Sequence, residues 1–113
     1  MPIDIILWAV AAGIAGFAVG YFWDEIKAWA TQAVRAILNG INWAVEVTSD
    51  ALTYLVRQGT RIYKKVEVYV KNVASGGIRR EYRQELISET EIPGDILSQL
   101  NAKGQLLMMR TST

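Results

Sequence analysis

The chain has 113 residues, a net charge of +1 and a hydrophobic fraction of 51%, which allows one domain and gives no global field to attract nucleic acid. Cys and His are both absent. That excludes disulfides, thiolate nucleophiles and imidazole bases or ligands, and leaves an enzyme only carboxylates, Lys, Ser or Tyr to work with. The composition reads as a non-catalytic protein with no metal, no cofactor and no small-molecule substrate.

Apolar residues concentrate before Asp24. From Ile5 to Trp23 there are 19 residues without a charge, and a helix rising ~1.5 Å per residue over that length approaches the ~30 Å hydrocarbon core of a bilayer. Residues 1–23 are therefore expected to form a transmembrane helix. Tyr21 and Trp23 close the span at the headgroup level, and Trp29 and Trp43 lie further along the membrane interface. Ala12, Gly16 and Gly20 recur every four residues, with Gly13 beside them, and Gly16 to Gly20 form a GxxxG. Small residues at this spacing let a second backbone approach closely, so they are the expected helix-association face. Lys27 and Arg35 follow the span while no basic residue precedes it, which puts the C-terminal region on the cytoplasmic side.

Residues 24–74 read as a long amphipathic helical region. Val34, Leu38, Ile41, Val45, Thr48, Leu52, Leu55, Gly59, Ile62, Val66, Tyr69 and Val73 make a heptad-like seam, with Asn39-Gly40 as a break. The part from Ile26 to Val47 suits an interfacial helix, with a second span as its competitor. Arg57, Arg61 and Lys64, with Lys65 adjoining, give a basic stripe suited to anionic lipid or a partner. Val66 to Val70 alternate as a strand would, but the seam crosses them without changing phase and the helical reading is preferred.

Ser75-Gly76-Gly77 ends that region. Residues 75–113 then read as a small strand–helix–strand cap. A strand around Leu86 pairs with one over Gln105 to Thr113, and a helix from Ile96 to Lys103 is stopped by Gly104. From Arg57 to Arg83 basic residues dominate, whereas Glu85, Glu89, Glu91 and Asp95 follow with no basic residue until Lys103. Copies set side by side could match these blocks.

The fold class expected is thus mainly α: transmembrane helix, heptad-like helical region and small β-α-β cap. No phosphate-binding loop, dinucleotide fingerprint or metal motif occurs. The function expected is a structural or interaction role as a single-pass membrane protein. Its partners are the bilayer and either further copies of itself or a membrane complex, not nucleic acid; a pore-forming or membrane-disrupting effector is the alternative.

Overall fold

Phe22, Trp23, Ile26, Ala30, Ala33, Val34, Ile37 and Leu38 recur three and four residues apart, the spacing that gathers side chains on one side of a helix. In the structure, a computed structural model that describes residues 8–10 and 21–112, they form the buried stripe of helix α1 (Tyr21–Asn39). Asp24, Glu25, Lys27, Gln32 and Arg35 take the opposite, exposed side. The helix ends where Gly40 and Ile41 donate to the Ile37 and Leu38 carbonyls, both at 3.1 Å, the tighter pattern typical of a last turn.

After Glu46 the period changes to two. Strands β2 (Glu46–Gln58) and β3 (Arg61–Asn72) form a hairpin whose connection is Gly59-Thr60. Gly59 has φ +64 and Thr60 does not have positive φ, the signature of a type II′ turn, whose twist suits a two-residue hairpin. Strand β4 (Ile78–Ile87) returns along β3. A short 3-10 turn over Glu89–Glu91 leads to α2 (Gly94–Lys103) and then to β5 (Gln105–Ser112). Gly104 stops α2 in the left-handed conformation, φ 76, donating to the Leu100 carbonyl at 2.7 Å. With β1 (Ala9–Val10), the five strands form one antiparallel sheet in the order β1-β5-β2-β3-β4.

Both helices pack on the same face of this sheet. The N-terminal half of α1, with Ile96 and Leu100 of α2, meets Leu55, Ile62, Leu106, Met108 and Met109. The C-terminal half meets Ala51, Val66, Val68 and Val70. Consecutive buried residues Met108 and Met109 are made possible by a register shift against β2, where Thr53 faces Met109 and Tyr54 already faces Leu107. Each fully buried Leu, Ile, Val or Met contributes ~1.5–3 kcal/mol. Trp8 packs against both clusters and its Nε1–H donates to Thr31 Oγ1 at 3.0 Å, fastening the residue before β1 to α1.

This architecture corrects the mainly-α expectation: the described residues are mostly antiparallel sheet. The heptad-like seam from Val45 to Val73 is a hairpin. Its 3.5-residue spacing draws on both faces of the strands, Leu52 and Tyr69 from one and Leu55, Ile62 and Val66 from the other, since both carry apolar side chains. The single-pass reading is overturned too, and with it the membrane location and the cytoplasmic placement of the C-terminal region. Among the described residues no helix is long and apolar enough to cross a membrane. Ala9 and Val10, inside the expected span, are paired as strand with Arg110 and Met109. Phe22 and Trp23, at its expected edge, are buried in the core at 9% and 8% exposure. The small C-terminal cap is corrected as well: β4, α2 and β5 follow in that order, but the two strands expected to pair with each other do not, since β4 lies against β3 and β5 against β2.

Candidate functional site

Residues directly opposite one another across an antiparallel ladder project to the same face. Three rows of the register define the face opposite the helices: Val56 with Tyr63 and Leu86, Tyr54 with Lys65 and Gln84, and Leu52 with Glu67 and Tyr82. Tyr69 stands beside Arg80 in the next row, and β5 adds Leu107 beside Tyr54 and Arg110 beside Leu52. Four of the five tyrosines therefore share one face. Most of these side chains are half-buried by lying across one another, but Tyr82 and Leu86 are 53% and 59% exposed.

Glu67 organises the centre. It is only 7% exposed although no helix covers it, because its neighbours close over the carboxylate. Lys65 Nζ stands 3.2 Å and Arg80 Nη1 3.4 Å from its Oε1, and the Tyr69 hydroxyl donates to Oε2 at 3.3 Å. Such a carboxylate is held by satisfying its lone pairs. The same two cations flank the Tyr82 ring, with Lys65 Nζ 5.0 Å and Arg80 Cζ 5.8 Å from its centroid, within the range of cation–π attraction. Tyr54, one row away, has its hydroxyl pKa raised above 10.0 by burial, and further by the negative charge of Glu67 and by Tyr69. Arg61, Lys71 and Arg110 also fall on this face by register. Glu67 opposes them at the centre and Asp50 at one rim, so the face is net positive.

The residues singled out in the sequence are distributed differently. Ala12, Gly13, Gly16 and Gly20 lie outside the described residues. Tyr21 opens α1, Trp23 is in the core, Trp29 is half-buried, and Trp43 is 43% exposed in the turn between α1 and β2. Arg57, Arg61, Lys64 and Lys65 make no single stripe. Period-two alternation sends Arg61 and Lys65 to the open face, and Arg57 and Lys64 to the helix side. There Lys64 Nζ stands 5.0 Å over the Trp29 ring and Arg57 pairs with Glu89 at 3.5 Å. Glu67, Tyr54, Arg80 and Tyr82 carry no role in the sequence reading and Tyr69 enters it only as a seam position; the alternation at Val66–Val70 is the signal that could have found them.

On the helix side, two clefts beside α1 have volumes of about 240 and 290 Å³, small beside the ~300–1,000 Å³ of sites that enclose a drug-sized ligand. Among the described residues no three acidic side chains converge as a metal site would require. The open face is thus the surface on which polar and aromatic groups converge. No family model, no curated protein and no solved structure matches the chain.

Proposed function

We propose that this chain is a non-catalytic protein-docking module, and that the helix-free face of its sheet takes up an acidic, partly apolar segment of another protein. The observation that supports this reading is the Tyr82 ring set between Lys65 and Arg80, within a face of tyrosines and aliphatic side chains that carries net positive charge. Tyrosine and arginine are the residues that most often carry binding energy at protein interfaces, since they offer large contact area together with directed polar groups. A carboxylate arriving near Lys65 and Arg80 would find cations whose neutralisation by Glu67 is incomplete: two positive charges against one negative.

Nucleic acid is the less suited partner. A stacking platform requires free ring faces and an unbroken positive track for phosphates. Here Glu67 stands at the centre of the track, and the Tyr82 ring is already flanked by two cations. Catalysis is the less suited reading as well: the one hydroxyl described beside a carboxylate on this face, that of Tyr69, meets a Glu67 already shared by Lys65 and Arg80.

Selection from a random displayed-peptide library against the purified full chain tests the reading. Enriched peptides should carry Asp or Glu among aliphatic or aromatic residues. Their affinity should fall at least tenfold in Lys65→Glu and in Leu52→Asp, and stay unchanged in Lys103→Glu, on α2. A footprint on the helix side, no enrichment at all, or tight binding of a single-stranded oligonucleotide blocked by the same two changes would each remove the proposal.

A further inference from the structure

β4 closes one side of the sheet, and no described residue pairs with its outer edge. An edge of ten residues is a template for another strand. Its side chains make a pattern that becomes meaningful only in a particular pairing. On the helix side, Arg79, Glu81, Arg83 and Glu85 alternate in sign, while on the open face Ile78, Tyr82 and Leu86 are 71%, 53% and 59% exposed. If β4 is laid antiparallel against a copy of itself with Tyr82 opposite Tyr82, then Arg79 faces Glu85, Glu81 faces Arg83, Ile78 faces Leu86 and Arg80 faces Gln84. By symmetry each pair occurs twice.

The backbone agrees. Asn72 donates to the Gly77 carbonyl at 2.7 Å, marking that pair as hydrogen-bonded across β3 and β4. Alternation along the ladder then turns the N–H and C=O of Arg79, Glu81, Arg83 and Glu85 toward β3, and those of Ile78, Arg80, Tyr82, Gln84 and Leu86 outward. The outward set is the set that meets itself in this register. It places the Arg and Glu residues at the non-hydrogen-bonded positions, where facing side chains come closest.

Other registers fail on charge or on length. A slip that centres the axis on Glu81 sets Glu81 against itself and Arg79 against Arg83. A centre at Arg83 sets Arg83 against itself and Glu81 against Glu85. A centre at Arg80 sets Arg80 against itself, and a centre at Gln84 keeps only the Arg83–Glu85 pairs and shortens the ladder. Charges on an edge strand usually discourage pairing; here their order favours the register centred on Tyr82, which keeps both kinds of ion pair. Arg79 is held toward β2 by Glu46 and by Glu81, so the Glu81–Arg83 pairs on either side of the axis carry the charge match.

We propose that the protein forms a two-fold symmetric dimer by pairing β4 with β4 of a second copy about Tyr82, joining the two sheets into one. The pairing uses an edge, so it stands apart from the docking reading of the open face, and either can fail without the other. In the dimer the two open faces become continuous.

Sedimentation or native mass measurement on the full chain should give twice 12.6 kDa. Arg83→Glu sets like charges opposite each other twice per dimer and should weaken dimerisation roughly tenfold or more. Adding Glu81→Arg restores opposite signs and should recover most of that loss, which general destabilisation would not do. Gln84→Pro removes one outward N–H without touching the β3 ladder and should give a monomer with an unchanged circular dichroism spectrum. The chain has no cysteine, so in an otherwise unaltered sequence Tyr82→Cys should oxidise to a covalent dimer while Gln84→Cys, whose copies stand apart, should not. A monomeric wild type, a dimer indifferent to Arg83→Glu, a folded double variant no better than the single one, or crosslinking at position 84 in place of 82 would overturn the proposal.

Discussion

The guanidinium of Arg79, near the start of β4, reaches past β3 to the buried carboxylate of Glu46 at the start of β2. Nη1 and Nη2 each meet one oxygen, the latter at 3.1 Å. The Glu46 side chain is 8% exposed and that of Arg79 49%. Glu46 thus depends on Arg79, with the Asn42 N–H at 3.4 Å as a weaker donor. The pair raises the Arg79 pKa, chiefly through the hydrogen bond to Glu46 and then that to Glu81. It joins the ends of three strands where α1 hands over to the sheet. Arg79→Ala leaves a buried carboxylate without its main donor and should lower the thermal midpoint. Because an uncompensated charge costs more than an absent pair, Glu46→Gln combined with Arg79→Ala should melt above Arg79→Ala alone. Calorimetry on the three variants checks the order.

The two faces of the sheet should respond unequally to truncation. Leu38 is fully buried between α1 and the sheet, whereas Leu86 is 59% exposed on the open face. Leu38→Ala should cost ~2–5 kcal/mol, combining lost transfer energy with a cavity, while Leu86→Ala should stay within ~0.5 kcal/mol. Urea unfolding of the two variants measures this. A large loss from Leu86→Ala would mean that the open face is covered in solution.

Alkaline titration gives a second handle on the open face. Burial, with Glu67 and Tyr69 nearby, raises the Tyr54 hydroxyl above its ordinary 10.0. A raised acid holds its proton longer when folded than when unfolded, so the stability that it contributes is present in full below pH 10 and is lost as pH rises through the folded value. Stability should therefore decline above pH 10, less steeply in Tyr54→Phe. Phenolate absorbance should lose its most alkaline component in that variant. An unchanged high-pH limb would place the raised group elsewhere.

Which parts of this architecture were legible in the sequence follows from how each residue signals. Chain punctuation is local chemistry, so Asn39-Gly40, Ser75-Gly76-Gly77 and the stop at Gly104 fall where the sequence placed breaks. The C-terminal helix begins two residues earlier than expected, putting Asp95 in its first turn, where a negative charge suits the helix dipole. The hairpin was obscured by the open face itself. With Leu52, Tyr54, Val56, Tyr63 and Tyr69 outward, and Leu55, Ile62 and Val66 inward, apolar residues occupy both phases and a 3.5-residue seam can be threaded through them. The β-branched and aromatic content of these segments, together with Gly59-Thr60 between them, was the better guide. The candidate face was illegible for the same reason: cations spaced for one side of a helix alternate sides on a strand. Pairing between distant strands such as β2 and β5 leaves no local trace.

The hairpin turn offers a test in which backbone conformation alone is at stake. At Gly59, φ is +64 and an added Cβ would meet no atom within 4 Å; Gly104 is the same with φ +76. Any penalty at these positions comes from the left-handed backbone and not from crowding. Gly59→Ala and Gly104→Ala should each cost about 1 kcal/mol, and Gly59→Val more, since a branched side chain tolerates this region least. Gly59→Asn should recover little of the loss, because the first central position of a type II′ turn lies outside the left-handed helical region that Asn accepts. Gly40 is the internal control. Its φ is not positive and a Cβ there would lie 3.5 Å from the Ile37 carbonyl, an ordinary contact. Gly40→Ala should therefore be neutral or stabilising by up to ~1 kcal/mol through the unfolded chain. Chemical unfolding of the set separates the cases. Were Gly59→Ala to cost no more than Gly40→Ala, the type II′ turn between β2 and β3 would be wrong, and the register that sets Lys65 and Glu67 beside Tyr82 would be wrong with it.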